Sequence, residues 1–300
     1  MSRQLSIAII EADVPLAGTA QRHGSYGGVF SSVLNQAAHT LIPPVSLSLS
    51  YHAISVGGTF PSTSALAQLD GIIITGSRAS AFDDTPWIVE LVAFVRDVLH
   101  HHKKVKVVGV CFGHQIIARA LGVQVRRGDG WEASVSNVHM THAGREIFGR
   151  DVLSINQMHR DIVTALPRGA VNLGSSSRCA IQGMFDEARG RYISVQGHPE
   201  FTPEIVAEIL TVRRDAGIFS MAEWQEMMAR LKNGHHGTEI AAVFLMFLLG
   251  ELKGMVKDGN AVKAAVREAS AVKTMVEECN AVKTMEEECT GGKLVNGTKA

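Results

Sequence analysis

Val105-Lys-Val-Val-Gly-Val-Cys111-Phe-Gly-His-Gln115 is an apolar, β-branched run that ends in a cysteine set between two glycines. The residues up to Val110 read as a buried parallel strand, and Ile116 to Leu121 carries apolar residues at helical spacing. Strand, sharp turn and helix start therefore fall in one segment, with a thiol at the corner. Gly109 and Gly113 permit the close packing such a corner demands, as in the G-x-S-x-G elbow. The helix that follows aims its N-terminus at the thiol, which favours negative charge there. A buried structural cysteine is the plain alternative, because most free cysteines are buried.

A second segment bears on that choice. Arg191-Tyr-Ile-Ser-Val-Gln196 reads as another short strand and runs into Gly197-His198-Pro199-Glu200-Phe201. Pro199 disfavours a helical turn at His198. A thiol nucleophile needs a base, and the base needs a third group to fix its tautomer and orientation. An imidazole leaving a strand end, with a carboxylate two positions later, can supply both. Cys111, His198 and Glu200 thus form a candidate triad in the order Cys, His, Glu. α/β-Hydrolases place the acid between nucleophile and His, so the order points to a different fold.

Around these motifs, residues 1 to about 250 alternate strands and helices in the α/β manner, which predicts an open, mostly parallel sheet with helices on both faces. Strands are expected at 5–10, 46–55, 71–75, 105–110, 171–175, 180–185 and 191–196. Helices are expected at 27–39, 86–102, 113–121, 159–165, 203–216, 221–232 and 238–252. Pro86 suits the first turn of its helix. His100-His-His-Lys-Lys104 at that helix's other end reads as cations at a C-terminus rather than as a metal site. His235-His236 falls in the loop before the last helix.

The 300 residues are 46% hydrophobic and 19% charged, enough for a sizeable core. Lys plus Arg (29) balances Asp plus Glu (29), which leaves no electrostatic footprint for nucleic acid or membrane. Leu5 to Ile10 is strand-length and is followed at once by Glu11 and Asp13, so it does not read as a secretory signal. The apolar run Ala241 to Leu249 is too short to span a bilayer. These readings place the chain in the cytoplasm, with Cys111, Cys179, Cys279 and Cys289 reduced and not clustered as metal ligands.

From Gly254 onward a ten-residue unit repeats, with Ala271-Val-Lys-Thr-Met and Ala281-Val-Lys-Thr-Met in register. Such units hold too few large apolar groups for a core. The division expected is a catalytic domain over 1–253 and a tail over 254–300, a marginal helix or disordered appendage without chemistry.

The Gly-Val-Cys-Phe-Gly-His-Gln elbow together with Gly-His-Pro-Glu-Phe resembles the class I, triad-type glutamine amidotransferases. More narrowly, the chain is similar to their stand-alone, GMP-synthase-like branch, which includes plant γ-glutamyl peptidases and many fungal proteins. The likeness runs from about residue 5 to 250. It takes in Thr75-Gly-Ser-Arg-Ala-Ser-Ala-Phe-Asp-Asp-Thr-Pro-Trp87, Gly130-Trp-Glu132, Gln157-Met-His-Arg-Asp161 and Ser176-Ser-Arg-Cys-Ala-Ile-Gln-Gly183. The tail matches nothing in the family pattern.

The resemblance implies a three-layer, flavodoxin-like α/β fold and chemistry on a glutamine side-chain amide or a γ-glutamyl bond. Cys111 attacks the carbonyl to give a γ-glutamyl thioester, His198 shuttles the proton, and Glu200 orients His198. One oxyanion donor is the backbone N–H of Phe112. The other comes from Gly76-Ser77, where the family usually has Gly-Gly. Gln115 resembles the family's substrate-contacting Gln. No metal and no cofactor is implied. His114 reads as a packing or helix-start residue. His159 and Asp161 read as rim residues, with a helix cap at Asp161 explaining that stretch nearly as well, and Trp131 and Glu132 as either substrate-loop or core residues.

Three functions fit. The favoured one is glutaminase-type amidotransfer in small-molecule, including secondary, metabolism. Ammonia then goes to a synthetase on another chain, since no Ser-Gly-Gly-x-Asp-Ser motif occurs here. The alternative is hydrolysis of γ-glutamyl peptides or glutathione conjugates. A binding module that kept the fold is third. A roomy, unsealed pocket favours the hydrolase, and a tight pocket beside a docking surface the amidotransferase.

Overall fold

The computed structural model describes residues 3–252; the repeat tail, with Cys279 and Cys289, lies outside the described residues. The chain opens with β1 (Arg3–Ile10), α1 (Ala17–His23), α2 (Tyr26–Thr40), β2 (Val45–His52), α3 (Thr63–Leu66) and β3 (Gly71–Ile74). It continues through α4 (Pro86–His101), β4 (Lys106–Val110), α5 (Phe112–Ala120), β5 (Val125–Met140), α6 (His142–Phe148) and β6 (Val152–Val163). It closes with β7 (Ala170–Ser175), β8 (Gly183–Asp186), β9 (Tyr192–Val195), α7 (Pro203–Asp215), α8 (Met221–Arg230) and α9 (Gly237–Leu249).

One nine-stranded sheet runs β2-β1-β3-β4-β9-β8-β7-β5-β6. Its first five strands are parallel, in the 2-1-3-4-5 arrangement of flavodoxin-like sheets. β3 and β4 are buried on both faces, which is why they read as unbroken Ile and Val runs. α2, α6 and α9 cover one face and α3, α4 and α5 the other, so the three-layer α/β expectation holds. A third cluster packs α7 and α8 on Ala133, Met158 and Phe201, next to the carboxyl ends of the parallel strands. Among the described residues no helix is long and apolar enough to cross a membrane.

The other four strands pair antiparallel; β7 and β8 answer to the strands expected at 171–175 and 180–185, whereas β5 and β6 are not announced by the sequence pattern. The helix expected over 159–165 is a correction: those residues lie mostly in β6, paired with β5. His159, Ile162 and Val163 share a helical spacing, but tertiary pairing overrides it. β5 carries Gly-Asp-Gly at 128–130, a register shift between Arg127 and Glu132, and Ser134 at φ 67°, all of which break the alternation that marks a strand. In the histidine cluster of α4, His101 and His102 both contact Asp97, an exposed arrangement at a helix end.

Candidate active site

The carboxyl ends of β1, β3, β4 and β9 meet at one place, where open α/β sheets bind ligands. Cys111 sits there as the N-cap of α5 with φ 52° and ψ −103°, a conformation L-residues avoid unless the surroundings impose it. Both flanking glycines are required sterically. A Cβ on Gly113 would lie 2.3 Å from Ile74 O, and one on Gly109 2.6 Å from Gly113 O. The amide of Cys111 donates to Val195 O (3.0 Å), which ties the corner to the end of β9. The residue is 5% exposed, at the floor of a cleft.

From β9 the chain delivers His198, whose amide donates to Asn156 O on β6 (2.7 Å). Its ring stacks on Phe201, with centroids 3.9 Å apart and planes 5° from parallel. Nδ1 contacts Glu200 Oε1 at 2.8 Å. Burial alone would push this imidazole down. The Glu200 carboxylate first, and Cys111 next by charge and hydrogen bonding, instead raise it to about 10. The pair is thus built to hold an imidazolium beside the thiol. Gly76 presses on the same ring, leaving no room for a Cβ.

The turn after β3 is held from β1. Thr75 Oγ1 accepts from Ala12 N (3.0 Å), and the Asp13 carboxylate takes the amide, Nε and Nη2 of Arg78 at 2.7–2.9 Å. Ser77 has no left-handed backbone, since Cys111 and Ser134 are the non-glycine residues with positive φ among those described. Its Oγ accepts from Ala79 N (3.1 Å). Phe112 opens α5, where N–H groups of the first turn lack intrahelical acceptors. Its ring packs 5.7 Å from that of Trp87. Gln115 is 3% exposed and lines the cleft, and its Nε2 donates to Asp161 O (2.8 Å) and Gln196 Oε1 (3.1 Å).

The cleft above Cys111 has a volume of about 370 Å³ and is open to solvent, with Ser77, Gln115, Trp131, His159 and Arg213 among its walls. A smaller cavity of about 90 Å³ adjoins His198 and Glu200, with Tyr26 and Arg213 also among its walls. Asp161 lies on the cleft in β6, not at a helix start. It accepts from Ser80 Oγ (2.7 Å) and Arg127 Nε (3.2 Å). Trp131 lines the cleft while Glu132 is buried behind it. His114 is fully buried with Nδ1 2.9 Å from Ser194 Oγ, and burial, with His159 nearby, pushes it down to about 3.

Sequence reasoning missed Arg213. Its guanidinium lies 4.1 Å over the Trp131 ring, and Nη1 is buried without a hydrogen-bond partner among the described residues. Its place in the last turn of α7, between Val212 and Arg214, gives no local signal of that placement. A second thiol set, Cys179 with His159 and Glu132, also escaped notice. Burial pushes the Cys179 thiol up to about 12, so it is a poor nucleophile.

A sequence model of the class-I glutamine amidotransferases matches residues 45–210. A glutamine amidotransferase-like protein of Schizosaccharomyces pombe is 36% identical over 245 residues, 81% of this chain and 98% of that protein. Gamma-glutamyl peptidase 3 of Arabidopsis thaliana is 37% identical over 163 residues, which is 52% of this chain and 64% of the peptidase. The crystal structure of a Thermotoga maritima glutamine amidotransferase superposes with a TM-score of 0.60 at 18% identity, covering 84% of this chain and 98% of that one, a likeness of fold alone.

Proposed function

This chain belongs to the class-I glutamine amidotransferase family, and from that premise we propose that it hydrolyses γ-glutamyl compounds through a Cys111 thioester. The observation that carries the reading is the strained Cys111 elbow beside the buried His198–Glu200 pair. Cys111 Sγ attacks the γ-carbonyl carbon as His198 holds the thiol proton. The oxyanion is met by the N–H of Phe112 and by backbone N–H groups of the Gly76-Ser77 turn. Collapse breaks the C–N bond, and the leaving amine takes the proton from His198. Water, deprotonated by His198, then attacks the thioester, releases the γ-glutamyl group as a free acid and restores the thiol. Glu200 keeps the imidazole in its working orientation throughout.

The open, unsealed cleft supports a γ-glutamyl peptide or conjugate over free glutamine, because the group beyond the scissile bond can extend toward solvent. Arg213, whose Nη1 has no hydrogen-bond partner among the described residues, lines the cleft and suits a substrate carboxylate. The second reading is amidotransfer from glutamine, with ammonia passed to a synthetase on another chain. It is favoured by the near-complete coverage of the S. pombe relative, whose name places it with the amidotransferases. We also propose that residues 1–253 form the catalytic unit and that 254–300 takes no part in the chemistry. A release assay separates the substrate readings. Amine from glutathione or γ-glutamyl dipeptides supports the hydrolase, whereas ammonia from glutamine with no amine release overturns it in favour of the amidotransferase.

A further inference from the structure

Behind the cleft wall lies a buried carboxylate, imidazole and thiol that the proposed reaction does not use. Glu132 comes from β5, His159 from β6 and Cys179 from the loop before β8, and each offers a ligand atom within 4.8 Å of the others. The side chains of His159 and Glu132 are 3% and 8% exposed, and Cys179 is 1% exposed. The spacing 132…159…179 has no metal-site signature, and only the pairing of β5 with β6 brings the first two together.

The hydrogen bonding of His159 points beyond an ordinary ion pair. Its Nδ1 lies 3.1 Å from the carbonyl of Asp161, which can only accept, so Nδ1 carries the hydrogen. Nε2, the ring's other ligand atom, faces Glu132 Oε2 at 3.0 Å. The contact is not aligned as a hydrogen bond, and Nε2 has no hydrogen-bond partner among the described residues. Two ligand atoms at that separation, off line, are placed as neighbours around one cation about 2 Å from each.

The surrounding groups are those that orient metal ligands. The Nδ1–H to a backbone carbonyl fixes the tautomer of His159. Glu132 Oε2 accepts from Gln182 Nε2 (2.8 Å), and Gln182 is fixed in turn by Gln157 Nε2 on its Oε1 (2.9 Å). Cys179 has only a long contact from Sγ to Ile181 O (3.4 Å) to give up. We propose that Glu132, His159 and Cys179 bind a divalent transition-metal ion, with zinc the best match to a thiolate, an imidazole and a carboxylate. A hard cation such as magnesium would not recruit sulfur. On binding, the Cys179 S–H bond gives way to a sulfur–metal bond and its proton leaves to solvent.

The ion acts as a clamp rather than a reactant. It ties β5, β6 and the loop before β8 into one wall. The Asp161 carbonyl that receives His159 Nδ1 also receives Gln115 Nε2, so the clamp reaches a residue one turn beyond Cys111.

The test uses the full chain, stripped with a chelator and then titrated with zinc or cobalt(II). One equivalent of zinc should bind, and the melting temperature should rise with zinc concentration. The cobalt form should show a thiolate-to-cobalt charge-transfer band that persists in Cys111→Ala and in Cys279→Ser/Cys289→Ser but is absent in Cys179→Ser. Gln182→Leu, which keeps all three ligands, should weaken zinc affinity by about 10- to 100-fold and serves if Cys179→Ser does not fold. No zinc uptake, no shift in melting temperature, or a cobalt band that survives Cys179→Ser would overturn the proposal.

Discussion

Gly76 and His198 are packed so closely that a Cβ on Gly76 would lie 2.6 Å from His198 Cε1. The ring cannot retreat, because it stacks on Phe201 and is tethered to Glu200. Gly76→Ala should therefore push the imidazole out of line, lowering kcat on the order of 10²-fold. Stability should fall by only about 1–3 kcal/mol. Steady-state kinetics beside urea unfolding checks this, and unchanged kcat would contradict it.

Arg213 is read as the anchor for a substrate carboxylate. Arg213→Met keeps an apolar stem over Trp131 and removes the charge. KM for γ-glutamyl peptides should rise about 10- to 100-fold, with kcat changed little. Lys at 213 should rescue only in part, because it cannot offer the planar fork. A fall in kcat at constant KM would assign Arg213 another task.

His198 is held at about 10 against its ordinary 6.5, with burial opposing and the Glu200 carboxylate chief among the groups that raise it. Its protonated form therefore stabilises the fold fully below about pH 6.5, and that contribution is lost as pH rises through about 10. Glu200→Gln removes the carboxylate. The stability gap between wild type and variant should be widest at and below neutral pH and shrink toward about pH 11. Urea midpoints across that range measure it, and a gap independent of pH would contradict the assignment.

The described chain ends in contacts that close the body before the repeats begin. Lys106 Nζ donates to Phe247 O and Leu248 O, and Arg3 pairs with Glu251. Deleting 254–300 should leave kcat/KM within about two-fold of the full chain, since nothing that the proposed mechanism uses lies there. A large loss would assign the tail a part in catalysis.

Much of this site could be read from sequence because it is local. The Gly-Val-Cys-Phe-Gly corner and the His-Pro-Glu step each carry their own backbone constraint, and the strands that deliver them are apolar on both faces. β5 and β6 could not be read in the same way. Their antiparallel pair holds Gly-Asp-Gly, a register shift and a left-handed Ser134, and its stability comes from pairing rather than from periodicity. The placement of Arg213, and the approach of Glu132 to His159 and Cys179, exist only once α7 and that strand pair are in place. Ser77 shows the converse: it stands where the family usually has Gly, and the Asp13–Arg78 clamp holds its turn without positive φ.

Among the described residues two thiols stand beside a histidine and a glutamate, and in the proposed reaction Cys111 alone forms the acyl-enzyme. Acid-quenched turnover of a γ-glutamyl peptide, followed by digestion and mass spectrometry, tests it directly. The prediction is a γ-glutamyl adduct on the peptide that contains Cys111, accumulating in wild type and absent, together with all turnover, in Cys111→Ala. An adduct on Cys179, or turnover that survives Cys111→Ala, would contradict it.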